Sequence, residues 1–166
     1  MHLLKIEEIC HLDEYGKVLW KNNNINNIFH NQGEQFLLNI CFNTSAGIVV
    51  PSNYYLGLDN RATPALSDTL SNLSQEPTQF GYSRQLISSV NGFTVALNNS
   101  GNYQATGNVV VFNASGGSWG PIQNLFLATT VNNTGYLIST AALGQSKTLS
   151  SGQSITMRIS LSLQNV

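Results

Sequence analysis

From Ser154 to Leu163 the chain alternates without a break: Ile155, Met157, Ile159, Leu161 and Leu163 are apolar, and Thr156, Arg158, Ser160 and Ser162 between them are polar. A strand turns successive side chains to opposite faces, so this run needs a sheet with one buried side and one open side. The same period of two returns at Tyr54–Leu58, Arg84–Ser89, Phe93–Leu97, Asn108–Asn113, Leu125–Leu127 and Tyr136–Ala141. Turn residues separate the runs at Asn91-Gly92, Asn99-Ser100-Gly101, Gly116-Gly117, Asn132–Gly135 and Ser151-Gly152. Seven or eight short strands at this spacing predict a mainly β fold, an antiparallel β-sandwich or jelly roll.

One segment has a different period. Phe36, Leu37, Ile40 and Cys41 recur at helical spacing behind Asn31-Gln32-Gly33-Glu34, where Asn31 is in place to cap and Glu34 follows three positions on. This predicts one short α-helix over residues 32–42, packed on a sheet. Before it, Lys17–Trp20 follows the turn-like Asp13–Gly16, which predicts an opening hairpin over residues 3–21. The polar run Lys21–Asn27 reads as a loop. The organisation expected is a charge-rich N-terminal arm or hairpin, residues 1–30, ahead of a sandwich body, residues 31–166, the whole forming one domain.

Charge is scarce and uneven. Only 9% of residues are charged, and eight of those fifteen lie in the first 34 positions: Lys5, Glu7, Glu8, Asp13, Glu14, Lys17, Lys21 and Glu34. From Gln85 to Ser146 there is none. Seven Lys and Arg supply no phosphate-neutralising surface, so nucleic acid is not an expected partner. Apolar runs are too short for a membrane-spanning helix. Lys5, Glu7 and Glu8 fall where a secretory leader needs an unbroken apolar stretch, so export by that route is not expected.

The chemistry-bearing residues make no recognisable catalytic pattern. Cys10, Cys41, His2, His11 and His30 fit no metal-ligand spacing, and the adjacent Cys10 and His11 point to opposite faces of a strand. No metal, disulfide framework or cofactor is expected. Asp59 is expected to organise a turn through its own backbone, and Asp68 to cap a helical turn at Thr69-Leu70. No His follows position 30, which weakens a hydrolase reading. Tyr54, Tyr55, Tyr82, Tyr103, Trp119 and Tyr136 leave open a carbohydrate-binding module in which sugars stack on aromatic rings. The reading from the residues alone is a non-enzymatic, polar, β-rich protein.

The order of local signatures resembles a family of tailed-bacteriophage virion structural proteins. The carriers are Val18-Leu19-Trp20 and Asn27–Leu38, then Tyr54-Tyr55-Leu56-Gly57-Leu58, Asp68-Thr69-Leu70, Glu76-Pro77 and Gly81-Tyr82-Ser83-Arg84. Gly120-Pro121-Ile122, Leu125–Ala128, Gly135–Ile138 and the Gly152-Gln153 closing strand follow, so the resemblance spans residues 18–163. It implies a capsid decoration (cement) protein that binds the major capsid protein, or alternatively a tail-associated or fibre-adaptor protein that binds tail proteins. It also implies a homotrimer and no catalytic residues. This chain departs from the pattern at Gln123-Asn124, where many relatives carry an acid, so no partner for Arg84 is implied there. Charges set register and partner choice at interfaces. The expected attachment interface is therefore Lys5, Glu7, Glu8, Asp13, Glu14, Lys17 and Lys21.

Overall fold

The computed structural model describes residues 4–25 and 27–162; Leu163 and His2 lie outside the described residues. Its strands are β1 (Leu4–Leu12), β2 (Val18–Ile25), β3 (Asn27–Phe29), β4 (Asn53–Asp59), β5 (Gln85–Ser88) and β6 (Phe93–Leu97). They continue as β7 (Tyr103–Gly107), β8 (Val110–Asn113), β9 (Trp119–Ala128), β10 (Leu137–Leu149) and β11 (Ser154–Ser162). One sheet runs β2-β1-β11-β7-β6, with β8 pairing β11 beside β7. The other runs β3-β10-β9-β4-β5. All pairings are antiparallel, and the two inner faces enclose one core, a β-sandwich.

The closing strand faces as its alternation requires: Ile155, Met157 and Ile159 are fully buried, and Leu161 packs against the core at the strand's end. The opposite face is less open than expected. Ser160 is 1% exposed, because its hydroxyl donates to Glu7 Oε1 at 2.5 Å under the neighbouring strand. Alternation reports which face a residue takes, not whether a neighbour covers it. Ile159→Ala is expected to cost about 2–5 kcal/mol, for the lost contacts and the cavity. Ser160→Ala should cost about 1 kcal/mol, for one hydrogen bond. Urea unfolding of both variants checks the pair, and equal losses would contradict the facing.

The opening hairpin forms, closed by Asp13, whose Oδ1 accepts the N–H groups of Tyr15 and Lys17 at 2.9 and 2.8 Å. It is woven into the sandwich, since β1 lies between β2 and β11. A bulge at Glu7 breaks the register between Ile6 and Glu8. That extra residue lets Ile6 and Ile9, three apart, both point into the core. The described residues of the expected loop at Lys21–Asn27 are instead strand: β2 runs to Ile25 and β3 starts at Asn27. Side-chain amides fasten this polar segment to β10, with Asn22 Nδ2 bonded to Leu143 O at 3.3 Å and Asn27 Nδ2 to Ser139 Oγ.

The helix α1 (Asn31–Phe42) lies against β10. Its N-cap is His30 rather than Asn31, and no side chain caps it. A long-range bond satisfies the first amide, Asn31 N–H donating to Leu66 O, and Gln32 Oε1 ties the helix start to its surroundings by accepting the N–H groups of Leu70 and Leu137. Gly33 is required by closeness, because a Cβ there would strike the backbone of Ile138.

The second sheet is apolar on both faces. Leu70 and Leu73, from the long connection between β4 and β5, cover Phe126, Ala128 and Leu137 on its outer side. This accounts for the unbroken apolar run Leu125–Ala128, each residue of which is buried. Gly57, paired with Phe126 in register, leaves room for the Phe126 ring, which a Cβ would meet. None of the described helices is long and apolar enough to cross a membrane.

Candidate functional site

Beyond Glu34 the chain has three carboxylates, Asp59, Asp68 and Glu76, and each is bound to an arginine. Asp59 leaves the end of β4 and accepts Arg61 N–H at 3.0 Å through Oδ1, the turn expected of it. Its Oδ2 also takes Arg61 Nε at 2.8 Å. Asp68 does not cap the turn that follows it. Its Oδ2 reaches back to Ala65 N–H and Arg61 Nη1, both at 2.8 Å, and Thr69 with Asn72 forms the capping box of the 3-10 turn Leu70–Asn72. A local pattern gives Asp68 two directions to bond, and the arginine brought alongside decides between them.

Arg84, just ahead of β5, is the most completely held charge. Nε and Nη2 bind the carboxylate of Glu76, with distances of 2.8 to 3.2 Å. Nη1 donates to Thr130 O and Asn132 O at 3.2 and 2.8 Å, and Nη2 also donates to Asn133 Oδ1 at 2.5 Å. All five N–H donors are engaged. The guanidinium carbon lies 5.0 Å from the centroid of the Phe126 ring. Tyr82 completes the cluster: its hydroxyl donates to Glu76 Oε1 at 2.5 Å and accepts Leu58 N–H at 2.8 Å. Burial, then the Glu76 charge, pushes the Tyr82 phenol far above its ordinary range. At the departure Gln123-Asn124 the two amides bind the carbonyls of Asn60 and Arg61 instead. These groups fasten the β4–β5 connection and the β9–β10 turn onto the sheet.

The histidines and cysteines are separately employed. His11 Nε2 lies 3.1 Å from Gln153 Oε1, Cys10 is buried on β1, and Cys41 is exposed on α1. His30 is fully buried, with Nδ1 2.9 Å from Ala65 O and Nε2 2.7 Å from Thr140 Oγ1. A carbonyl only accepts, so Nδ1 carries the proton and Nε2 accepts from the threonine. Burial pulls the His30 pKa down; the Ala65 bond and the Asp68 carboxylate oppose this, and Arg61 adds to it. The unfolded chain therefore binds the extra proton more readily. Stability is full above the unfolded value near 6.5 and falls as pH drops from there towards the folded value. Between pH 7.5 and 5.5 the melting temperature should fall more for the native chain than for His30→Gln. Parallel pH profiles would refute this.

The aromatic residues do not assemble into a platform. Tyr82 stacks on Phe112 at 6.1 Å and meets Trp119 edge-on at 5.4 Å, Tyr136 packs on Phe36, and Tyr54 on Phe93. Trp119 spends its N–H on the carbonyls of Gln79 and Phe80. Tyr103 is largely exposed, on a different strand from the others.

The seven expected attachment residues fall into two groups. Lys5, Glu7, Glu8 and Lys21 border the outer face of the first sheet, which also carries Arg158 opposite Glu8. Lys21 donates to Glu8 at 2.7 Å; this bond holds the Glu8 carboxyl below its usual range and raises the lysine. Both are half-exposed, where such a pair adds little to stability. Asp13, Glu14 and Lys17 sit at the hairpin turn, where Asp13, Glu14 and the exposed Tyr15 border a hollow with Ser150, Ser151 and Gln153. Elsewhere, an apolar cleft of about 350 Å³ opens between α1, β4 and the β6–β7 hairpin.

A two-sheet sandwich whose carboxylates beyond Glu34 are tied to its own arginines, with surface charge gathered mainly on one hairpin, has the build of a structural module. The family of that class described as "Podophage GP4 fiber I protein gp80" matches residues 29–163, and the chain belongs to it. It is thus a structural protein of the tailed-phage virion. No curated protein matches the chain. The family match covers the sandwich from the end of β3 onward, and all seven attachment candidates precede it.

Proposed function

We propose that this chain is a non-enzymatic, fibre-associated component of the virion, built as a homotrimer and attached through the charged β1–β2 hairpin. Of the two virion positions expected from the sequence, cement on the head shell and an adaptor at the tail or fibre, the family's description supports the second. The observation that carries the attachment reading is the division of charge. Beyond Glu34 the body's acids are bound to Arg61 and Arg84, whereas Glu14, Lys17 and the Lys5–Glu7 and Lys21–Glu8 pairs lie on the hairpin's surface, where another protein can meet them. Matched charges on a partner fix register and repel wrong partners.

Antibody-labelled electron microscopy of the source virion tests the position: label at the tail or a fibre is expected, and label spread over the head shell would restore the cement role. Reversing Glu14, Lys17 and Lys21 together tests the attachment. These side chains are not in the core, so the protein should fold as before and lose incorporation into particles. Undiminished incorporation would reject the hairpin as the attachment element.

A further inference from the structure

We propose that the uncharged hollow between the start of β4 and the β9–β10 turn is a binding site for a neutral carbohydrate. The hollow measures about 320 Å³ and is lined chiefly by Asn53, Tyr55, Thr129, Thr130, Asn132 and Thr134. It lies on the outer face of the second sheet. Leu56 and Leu58 point into the core, so Tyr55 and Gly57 point outward, where Gly57 makes room for the Phe126 ring. The charged hairpin belongs to the other sheet, and the hollow therefore faces away from it. Sugar binding here goes beyond attachment and is independent of it.

Both walls are fixed in advance. Arg84 places three of its bonds on the β9–β10 turn, at Thr130 O, Asn132 O and Asn133 Oδ1. Within the turn, Thr130 Oγ1 donates to Asn132 O at 2.8 Å and accepts Gly135 N–H at 3.1 Å. Asn132 Oδ1 accepts the N–H and the hydroxyl of Thr134 at 3.1 and 2.6 Å. On the other wall, Ser52 O accepts the N–H and the hydroxyl of Ser89, each at 2.9 Å. A site shaped before its ligand arrives loses less to the ordering of loops and side chains, so even a shallow hollow can hold a small molecule.

The groups left open on these walls identify the ligand. Among the described residues, Asn53 Oδ1, the Tyr55 hydroxyl and the Asn132 amide nitrogen have no hydrogen-bond partner. They offer an acceptor, a group that both donates and accepts, and a donor, around one partly exposed aromatic ring. No lining residue is charged, and Arg84, which holds the turn from beneath, has every N–H engaged. An ionic ligand finds no counter-charge here. An apolar one would cover the amides and hydroxyls and leave them unpaired. A sugar ring meets both demands, because its hydroxyls exchange hydrogen bonds with amides while its C–H face stacks on an aromatic ring.

The test is a titration of the isotope-labelled full chain, followed by its amide chemical shifts. Glucose, galactose, mannose and N-acetylglucosamine are the neutral probes, and glucuronate and glucosamine the charged ones. At least one neutral probe is expected to shift the amides of Asn53, Tyr55 and Thr129–Thr134, with a Kd of about 1–10 mM. Tyr55→Leu removes the ring, and Asn132→Asp keeps the oxygen that Thr134 binds while exchanging the open amide for a charge. Each should weaken binding about 10-fold, reducing the shifts to a small fraction at the same sugar concentration, with the fold intact by circular dichroism. Tyr103→Leu, at an exposed tyrosine on β7, should bind as the native chain does. If Tyr55→Leu fails to fold, Asn132→Asp decides. No shift from any neutral probe up to about 50 mM overturns the site, as do shifts centred elsewhere or folded variants with native affinity. Charged probes that bind at the hollow as tightly as the neutral ones refute the neutral chemistry assigned to it.

Discussion

Replacing Arg84 by alanine is expected to remove about 3–5 kcal/mol of stability, a large share of the about 5–15 kcal/mol that holds a typical domain folded. The guanidinium side chain is 4% exposed and Glu76 17%, so the carboxylate left behind stays largely out of water with its counter-ion gone. The carbonyls of Thr130 and Asn132 lose their donors in the same change, and the Phe126 ring loses its cover. Arg84→Lys should recover part of the loss, because an ammonium keeps the charge but not the forked pair of bonds to Glu76. Replacing Arg84 and Glu76 together by methionine and leucine should cost less than Arg84→Ala, since no buried charge is then left alone. Urea unfolding of these variants is the measurement. A loss below about 1 kcal/mol for Arg84→Ala would show that the cluster is solvated and ornamental.

That cluster also shows where a sequence stops being legible. Arg84 and Glu76 both stand out in the chain, yet nothing local says that they meet, or that Thr130 and Asn132 close the ring from the β9–β10 turn. The strands β8 and β11 are readable because side-chain period and burial coincide there; β4 and β6 alternate in sequence, but β4 ends buried on both faces and β6 is largely exposed. Three features escape for physical reasons. Lys21–Asn27 reads as loop because it is mostly polar, but at the sheet edges Asn22 and Asn27 bond their amides to β10. Tyr103–Gly107 forms β7 with few apolar residues, held by pairing on both sides, to β6 and β11. The helix begins one residue early because His30 and Gln32 are bonded to the Ala65–Leu70 segment, which no helix-capping rule contains. The expected attachment residues were legible as a charge asymmetry. Their division between the hairpin turn and an outer sheet face was not, because the bulge at Glu7 and the pairing with β11 set it.

Deleting residues 1–12 is expected to abolish cooperative folding rather than to release an intact body. As a sequence, this segment reads as part of a charge-rich arm or hairpin ahead of the body. In the fold, Ile6 and Ile9 are fully buried, and β1 pairs with β11 along nearly its whole length. Burying two isoleucines contributes about 3–6 kcal/mol, against a total stability of about 5–15 for a typical domain. The deletion also uncovers Ile155, Met157 and Ile159 on the strand β1 protected, and frees β2 from its only partner among the described strands. A broad, non-cooperative thermal transition with dye-accessible apolar surface is the expected result. A sharp transition near the native melting temperature would mean that β1 is dispensable and the hairpin is an appendage. The distinction decides how attachment has to be studied. If the hairpin is core, truncation destroys the body along with the contact, and only surface charge reversal at Glu14, Lys17 and Lys21 separates attachment from folding.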